Sequence, residues 1–176
     1  MLGKILLTIL IIVVSIPVLF IVLVAITNIW TKANAIRQGK NIISQFYNLL
    51  MERNYVVAAT FLSKSIISND LEKLNWINNI TNKYSTQSIN EFSIGTHSFG
   101  SITGRYVQQV FFKISISLIV SGKIIYKNER IRLVEENVDE WTRKLKIIEC
   151  PEFSDEEKAR IEESLLSIRP QRKQST

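Results

Sequence analysis

Few side chains in this chain are equipped for chemistry, and they are scattered. His97 is its single histidine and Cys150 its single cysteine. A histidine near neutral pKa is the commonest general base, but His97 lies in Thr96-His97-Ser98-Phe99-Gly100, where a strand runs out into a loop. That setting suits an exposed or locally bonded imidazole better than a catalytic one. One cysteine excludes an internal disulfide framework and any Cys-based zinc site. Cys150 reads as a small buried hydrophobe at a strand end, the alternative being intermolecular pairing or a reactive thiol. No metal-ligand spacing and no glycine-rich phosphate loop occurs, so the expectation is no catalytic residue, no cofactor and no metal. Asn79-Ile80-Thr81 satisfies the glycosylation triplet and is read as a chance match.

Two groups of residues remain as candidate sites. Tyr47, Tyr55, Trp76 and Tyr106, with Gln108 as the one clearly polar residue on the apolar face of a strand, are of the types that line a small-ligand pocket. Aromatic core packing accounts for the same four rings. The second group is Ile161, Leu165 and Ile168, a narrow apolar stripe beside Leu166 on a final helix. Such a stripe must be buried, either on the protein's own sheet or on a second subunit.

The elements that position these residues follow an N-terminal stretch of a different kind. Residues 5–26 carry no charge and are interrupted only by Thr8, Ser15 and Pro17. As a helix they reach roughly 33 Å, enough for the hydrocarbon core of a bilayer. Ala33-Asn34-Ala35 has the small-x-small form of a signal-peptide cleavage site, but the apolar run exceeds the roughly 7–15 residues of a signal peptide and ends well before it. An uncleaved single-pass anchor is expected. Lys4 on one side and Lys32, Arg37 and Lys40 on the other weigh slightly toward a cytoplasmic domain; the short leading segment is typical of an exported one.

The net charge of +6, from 22 basic and 16 acidic residues, is spread along the chain. Nucleic-acid binding would need a stripe of Lys and Arg interleaved with aromatics, so nucleic acid is not expected as a partner. Three helices come next by periodicity. The first, 33–53, has a stripe of Ile36, Ile43, Phe46, Tyr47 and Leu50; the second is the short, apolar 55–62; the third, capped at Ser68 or Asn69, places Leu71, Leu74, Ile77 and Ile80 on one side. From Ser85 the pattern turns to alternation. A strand is expected at 89–99. A long one begins at Tyr106 with its even positions buried, and a turn follows at Ser121-Gly122-Lys123. In the next strand, 124–135, the apolar set moves from even (Ile124, Tyr126) to odd positions (Ile131, Leu133), which predicts a bulge within 127–130. Trp141, Arg143, Leu145 and Ile147 alternate along a last strand. Ser154 and Glu157 form a capping box for the final helix, and Pro170 stops it.

Phe46-Tyr47, Leu49-Leu50-Met51-Glu52-Arg53-Asn54-Tyr55, the step Ala58-Ala59-x-Phe61-Leu62, and Trp141 after the acidic turn Val138-Asp139-Glu140 together resemble the nuclear transport factor 2-like superfamily. The resemblance covers roughly 36–149. It implies an α+β cone, helices packed on a curved antiparallel sheet, and it argues architecture and not activity, because the fold hosts isomerases, dehydratases, transport receptors and inert scaffolds. An anchor followed by such a cone is also similar to the bitopic assembly subunits of bacterial type IV secretion and conjugation machines, whose cones face the periplasm or exterior. The expected organisation is a transmembrane anchor at 1–30, the α+β domain at 31–153, a C-terminal amphipathic helix at 154–169 and a disordered basic tail at 170–176. The expected function is a non-enzymatic, membrane-anchored assembly module with a protein partner or a second copy of itself, its domain outside the cytoplasm. A small-ligand or lipid-binding envelope protein is the alternative, and an isomerase- or dehydratase-like enzyme a more remote one.

Overall fold

The computed structural model describes the backbone of residues 2–101, 108–137 and 143–150, with side chains at 15–100, 109–136 and 144–150. The order of elements is α1 (Leu2–Met51), α2 (Tyr55–Ala58), a 3-10 turn (Ala59–Phe61), α3 (Asp70–Lys83), and strands β1 (Gln87–Ser101), β2 (Gln108–Val120), β3 (Lys123–Asn137) and β4 (Arg143–Glu149). The chain is therefore α+β. It divides into two compact units, Met1–Arg37 and Gln38–Thr176. The expected final helix, with Ile161, Leu165 and Ile168, the basic tail, Tyr106 and Trp141 lie outside the described residues.

The first unit is helical throughout its described length, with Pro17 inside α1. Its side chains from 15 to 33 stand open, Phe20 at 67% and Trp30 at 69% exposed, and Ala35 is buried. Thr27 Oγ1 donates to the Val24 carbonyl at 2.9 Å and Thr31 Oγ1 to the Thr27 carbonyl at 2.7 Å. Both hydroxyls are thus satisfied within the helix itself, as a segment in lipid requires. This helix is long and apolar enough to cross a membrane, and it is the one such helix among the described residues. Where the sequence pattern suggested an anchor and then a separate helix, α1 is continuous, because nothing between 27 and 51 is a glycine pair or a proline that would break it.

In the second unit, α1 ends in a turn that uses a left-handed Arg53 (φ 58). The Arg53 amide donates to the Leu50 carbonyl at 3.1 Å and the Asn54 amide to the Leu49 carbonyl at 2.8 Å, the paired bonds of a Schellman cap. The Asn54 side chain then accepts from the Val57 amide and opens α2, and Asn69 caps α3 by accepting from the Glu72 amide at 2.9 Å.

The four strands form one antiparallel sheet in the order β1-β2-β3-β4. On β2 the even positions Val110, Phe112, Ile114, Ile116 and Leu118 are buried, as the alternation predicts, and they pack with Ile131, Leu133 and Ile147 and with the helical residues Ile43, Phe46, Tyr47, Leu50, Trp76 and Ile80 as the unit's apolar interior. Gly39 of α1 marks the closest approach: a Cβ there would lie 2.6 and 2.8 Å from the Phe112 ring. Only hydrogen fits.

Two expectations fail. The β2–β3 register runs unbroken from Gln109↔Val134 to Val120↔Lys123, so β3 carries no bulge against β2. Ile131 and Leu133 face the interior, whereas Ile124 and Tyr126 lie on the other face and are 54% and 73% exposed. The parity change marks a change of environment and not a kink. The register shifts occur instead in β1, at Ile89/Glu91 and Ile94/His97, and between β3 and β4 at Arg132/Leu133. On α3, Leu71 and Leu74 are exposed; the helix is rotated so that Trp76 and Ile80 are its buried residues, the largest ring taking the interior.

Candidate functional site

The aromatic candidates separate into two groups. Tyr47 and Trp76 are fully buried on either side of Phe46: the Phe46–Tyr47 ring centroids are 5.5 Å apart, edge to face, and Phe46–Trp76 are 6.3 Å apart. Tyr47 also meets Phe92 of β1 at 5.2 Å. Tyr55 stacks on Tyr84 at 6.3 Å, away from that cluster in the ring contacts. The helical spacing of Phe46, Tyr47 and Leu50 brings the first group inward, and Trp76 arrives from α3. Such pairs contribute about 0.5–1.5 kcal/mol beyond the area they bury, so these rings hold α1, α3 and β1 together. The Trp76 Nε1–H is buried and has no acceptor among the described residues. Burial raises the Tyr55 phenol above its ordinary pKa, and the nearby Arg53 charge pulls it partly back.

Gln108 pairs with Ser101 at the start of β2, its side chain lying outside the described set. The polar residues of β2 that are buried are Gln109 and Ser117, both at odd positions assigned to the solvent face by alternation. Ser117 is covered at the β1 bulge, where Asn90 Nδ2 donates to its Oγ at 3.3 Å. Gln109 lies across from Gly100, with its Oε1 3.6 Å from where a Gly100 Cβ would stand, a gap left by a residue without a side chain.

His97 is exposed, on β1 opposite Phe112, with its ring 6.0 Å from Phe99 and 6.1 Å from Phe112. It keeps aromatic company, with no acid or nucleophile among its described contacts. Cys150 is a buried cysteine just after β4.

A polar cluster missed by pattern reading ties the loop after the 3-10 turn to the far strands. Glu136 of β3 accepts a hydrogen bond from the hydroxyl of buried Ser63, and its two carboxylate oxygens accept from the Lys64 amide at 3.1 and 3.2 Å. Ser63 and Ser65 share a bond of 2.7 Å. The Ser63 amide donates to the Ile147 carbonyl at 2.9 Å, and Lys146 Nζ to the Thr60 carbonyl at 2.5 Å. Burial lowers the Lys146 pKa, Glu136 opposes that, and Lys144 and Lys64 add to it. Seventy-three residues separate Ser63 from Glu136, and no local spacing signals the pair. Its serine is buried under its own partners, an arrangement that fixes the loop to the β4 edge. Among the described residues there is no group of three His, Cys, Asp or Glu that could hold a metal ion.

On the outer face of β2 and β3, Arg130 and Arg132 lie over the Phe111 ring at 4.9 and 5.7 Å, and both reach Glu149, Arg132 at 3.0 Å and Arg130 at 3.7 Å. Neither a scan against protein-family models nor a search of the curated proteins finds a match to this chain.

Proposed function

We propose that the chain is a single-pass membrane protein whose α+β domain, a nuclear transport factor 2-like cone facing out of the cytoplasm, serves as an assembly or interaction module and not as an enzyme. The observation that carries this reading is the N-terminal part of α1: apolar, long enough for a bilayer, and exposed from Ile16 to Trp30. Water does not tolerate such a surface, whereas each Ile, Leu, Val or Phe at a membrane centre favours insertion by about 0.3–0.6 kcal/mol. Anchoring confines the domain to the membrane, where effective concentration turns weak contacts into stable assembly. The stripe Ile161, Leu165 and Ile168 is the proposed partner face, and the resemblance to bitopic secretion and conjugation subunits extends to the anchor-and-cone architecture alone. Crosslinking in native membranes tests it: homo- or hetero-oligomers are expected, and a chain recovered strictly as a monomer with no neighbour would contradict it.

One observation favours a second reading, a small-ligand or lipid-binding protein. The buried Trp76 Nε1–H needs an acceptor, and a ligand oxygen would supply it. Native mass spectrometry of the protein extracted from membranes separates the two readings: this one requires a retained small molecule.

A further inference from the structure

The β2–β3 hairpin ends in an unusual way. Its two turn residues, Ser121 (φ 50) and Gly122 (φ 76), are both left-handed, the geometry of a tight two-residue hairpin turn. Behind it the ladder pairs without a break for the whole described length of β2. The tip is therefore stiff, with β1 running beside it as far as Gln87 opposite Val120. It displays Ile124 (54% exposed), Ile125 (41%) and Tyr126 (73%) in succession, where a soluble strand would alternate.

On the two hairpin strands the charges next to the tip are basic, while β1 beside them contributes exposed Glu91 opposite Ser117. Lys123 and Lys127 flank the apolar triplet and are exposed. Further back on the face that carries Ile124 and Tyr126, Lys113 and Arg130 stand directly opposite each other across the strands. Like charges so paired repel, and no described hydrogen bond or ion pair involves Lys113. Arg130 stacks on Phe111 and reaches Glu149 only at 3.7 Å, its side chain 59% exposed. Glu129, on the opposite face, is the one acid between Lys113 and Arg130 in the sequence of the hairpin. Tyr126 and Arg130 are four residues apart, about 13 Å along a strand. An aromatic-aliphatic tip, lysines at its edge and a basic pair one headgroup depth behind is the arrangement that seats at a bilayer interface: Tyr and Ile at the acyl boundary, Lys stems lying along apolar surface, cations on lipid phosphates.

From this geometry we infer that the β2–β3 hairpin tip is a docking element for an anionic lipid surface, inserting Ile124, Ile125 and Tyr126 and binding headgroup phosphates through Lys113, Lys123, Lys127 and Arg130. A membrane is an available partner, since the chain carries a helix fit to cross one. The inference stands apart from the assembly reading and needs no protein partner.

The test uses the full chain reconstituted in vesicles, with an environment-sensitive fluorophore on Ile124→Cys, Cys150 remaining buried, and lipids bearing a quencher in the acyl chain. The expected result is quenching in vesicles rich in phosphatidylglycerol, loss of most of it in pure phosphatidylcholine, and a roughly fivefold lower bound-to-free ratio for each of Lys123→Gln and Lys127→Gln. A probe on Ile21→Cys reports separately whether α1 is in the bilayer, so failure of the anchor and failure of the tip are told apart. An Ile124 probe unquenched in anionic vesicles overturns the inference whatever the Ile21 probe shows. So does a probe that responds only to protein concentration, which would make the tip a contact between two copies.

Discussion

Glu136 holds a loop by three hydrogen bonds, from the Ser63 hydroxyl and from the Lys64 amide to each of its oxygens. Truncation to Ala leaves buried Ser63 with fewer partners, and the expected cost is about 1–3 kcal/mol, read from denaturant unfolding; Glu136→Gln keeps an acceptor and should cost less. Removing the carboxylate also removes the one influence that raises the Lys146 pKa, so Lys146 should titrate lower still. Tyr55 supplies a pH test of opposite sign. Its pKa is raised in the folded protein, so folding retains a proton that the unfolded chain loses above pH about 10. The stability it contributes is present below that pH and is lost as pH rises toward the folded value. Lys146, lowered on folding, gains stability with rising pH up to the ordinary lysine value. The stability difference between wild type and Tyr55→Phe isolates the first effect and should shrink in wild type's disfavour above pH 10, measured by denaturant midpoints at successive pH values. At this scale the sequence was readable for Tyr47, which is in the stripe that periodicity predicted, less so for Trp76, which lies off the expected α3 stripe, and silent for Ser63 and Glu136, whose bond depends on tertiary placement alone.

Packing between elements turns on Gly39. Replacing a helical glycine with alanine ordinarily favours the helix by about 1 kcal/mol, but here the added carbon would sit inside the Phe112 ring's contact distance, and that ring is fully buried among its neighbours. Overpacking of this kind costs about 1–3 kcal/mol. Gly39→Ala should therefore lower the unfolding midpoint, and Phe112→Leu in the same chain should recover part of the loss, a non-additivity that a double-mutant cycle measures. The elements themselves were largely legible. β2 follows strict alternation because it is a central strand with one face against the helices, and α3 announces its start through Asn69, Asp70 and Glu72. The misreadings share one cause: pattern analysis assigns apolar residues to the interior. Ile124, Tyr126, Leu71 and Leu74 are all exposed, so the inferred bulge and the inferred helix stripe were both drawn through surface residues.

For the molecule as a whole, the N-terminal apolar segment was the feature most plainly written in the sequence, because length and composition alone make it a helix able to cross a membrane. Leu19 and Leu23 lie one helical turn apart on α1 and are 62% and 52% exposed. Changing both to Arg raises the cost of insertion by about 6–8 kcal/mol, and the double variant should shift from the membrane to the soluble or degraded fraction on fractionation. The candidate site was far less legible, since the sequence offers no catalytic or metal spacing to read and the described candidate rings, Tyr47, Tyr55 and Trp76, are buried in the core. A membrane-bound assembly module requires α1 to remain in the mature protein as a bilayer-spanning anchor. Alkaline carbonate extraction of membranes, followed by intact-mass analysis of the extracted pellet, tests this directly: the full chain, N-terminal segment included, should stay in the pellet until detergent releases it. Release into the carbonate supernatant, or a mass corresponding to a chain that begins near Ile36, would contradict it.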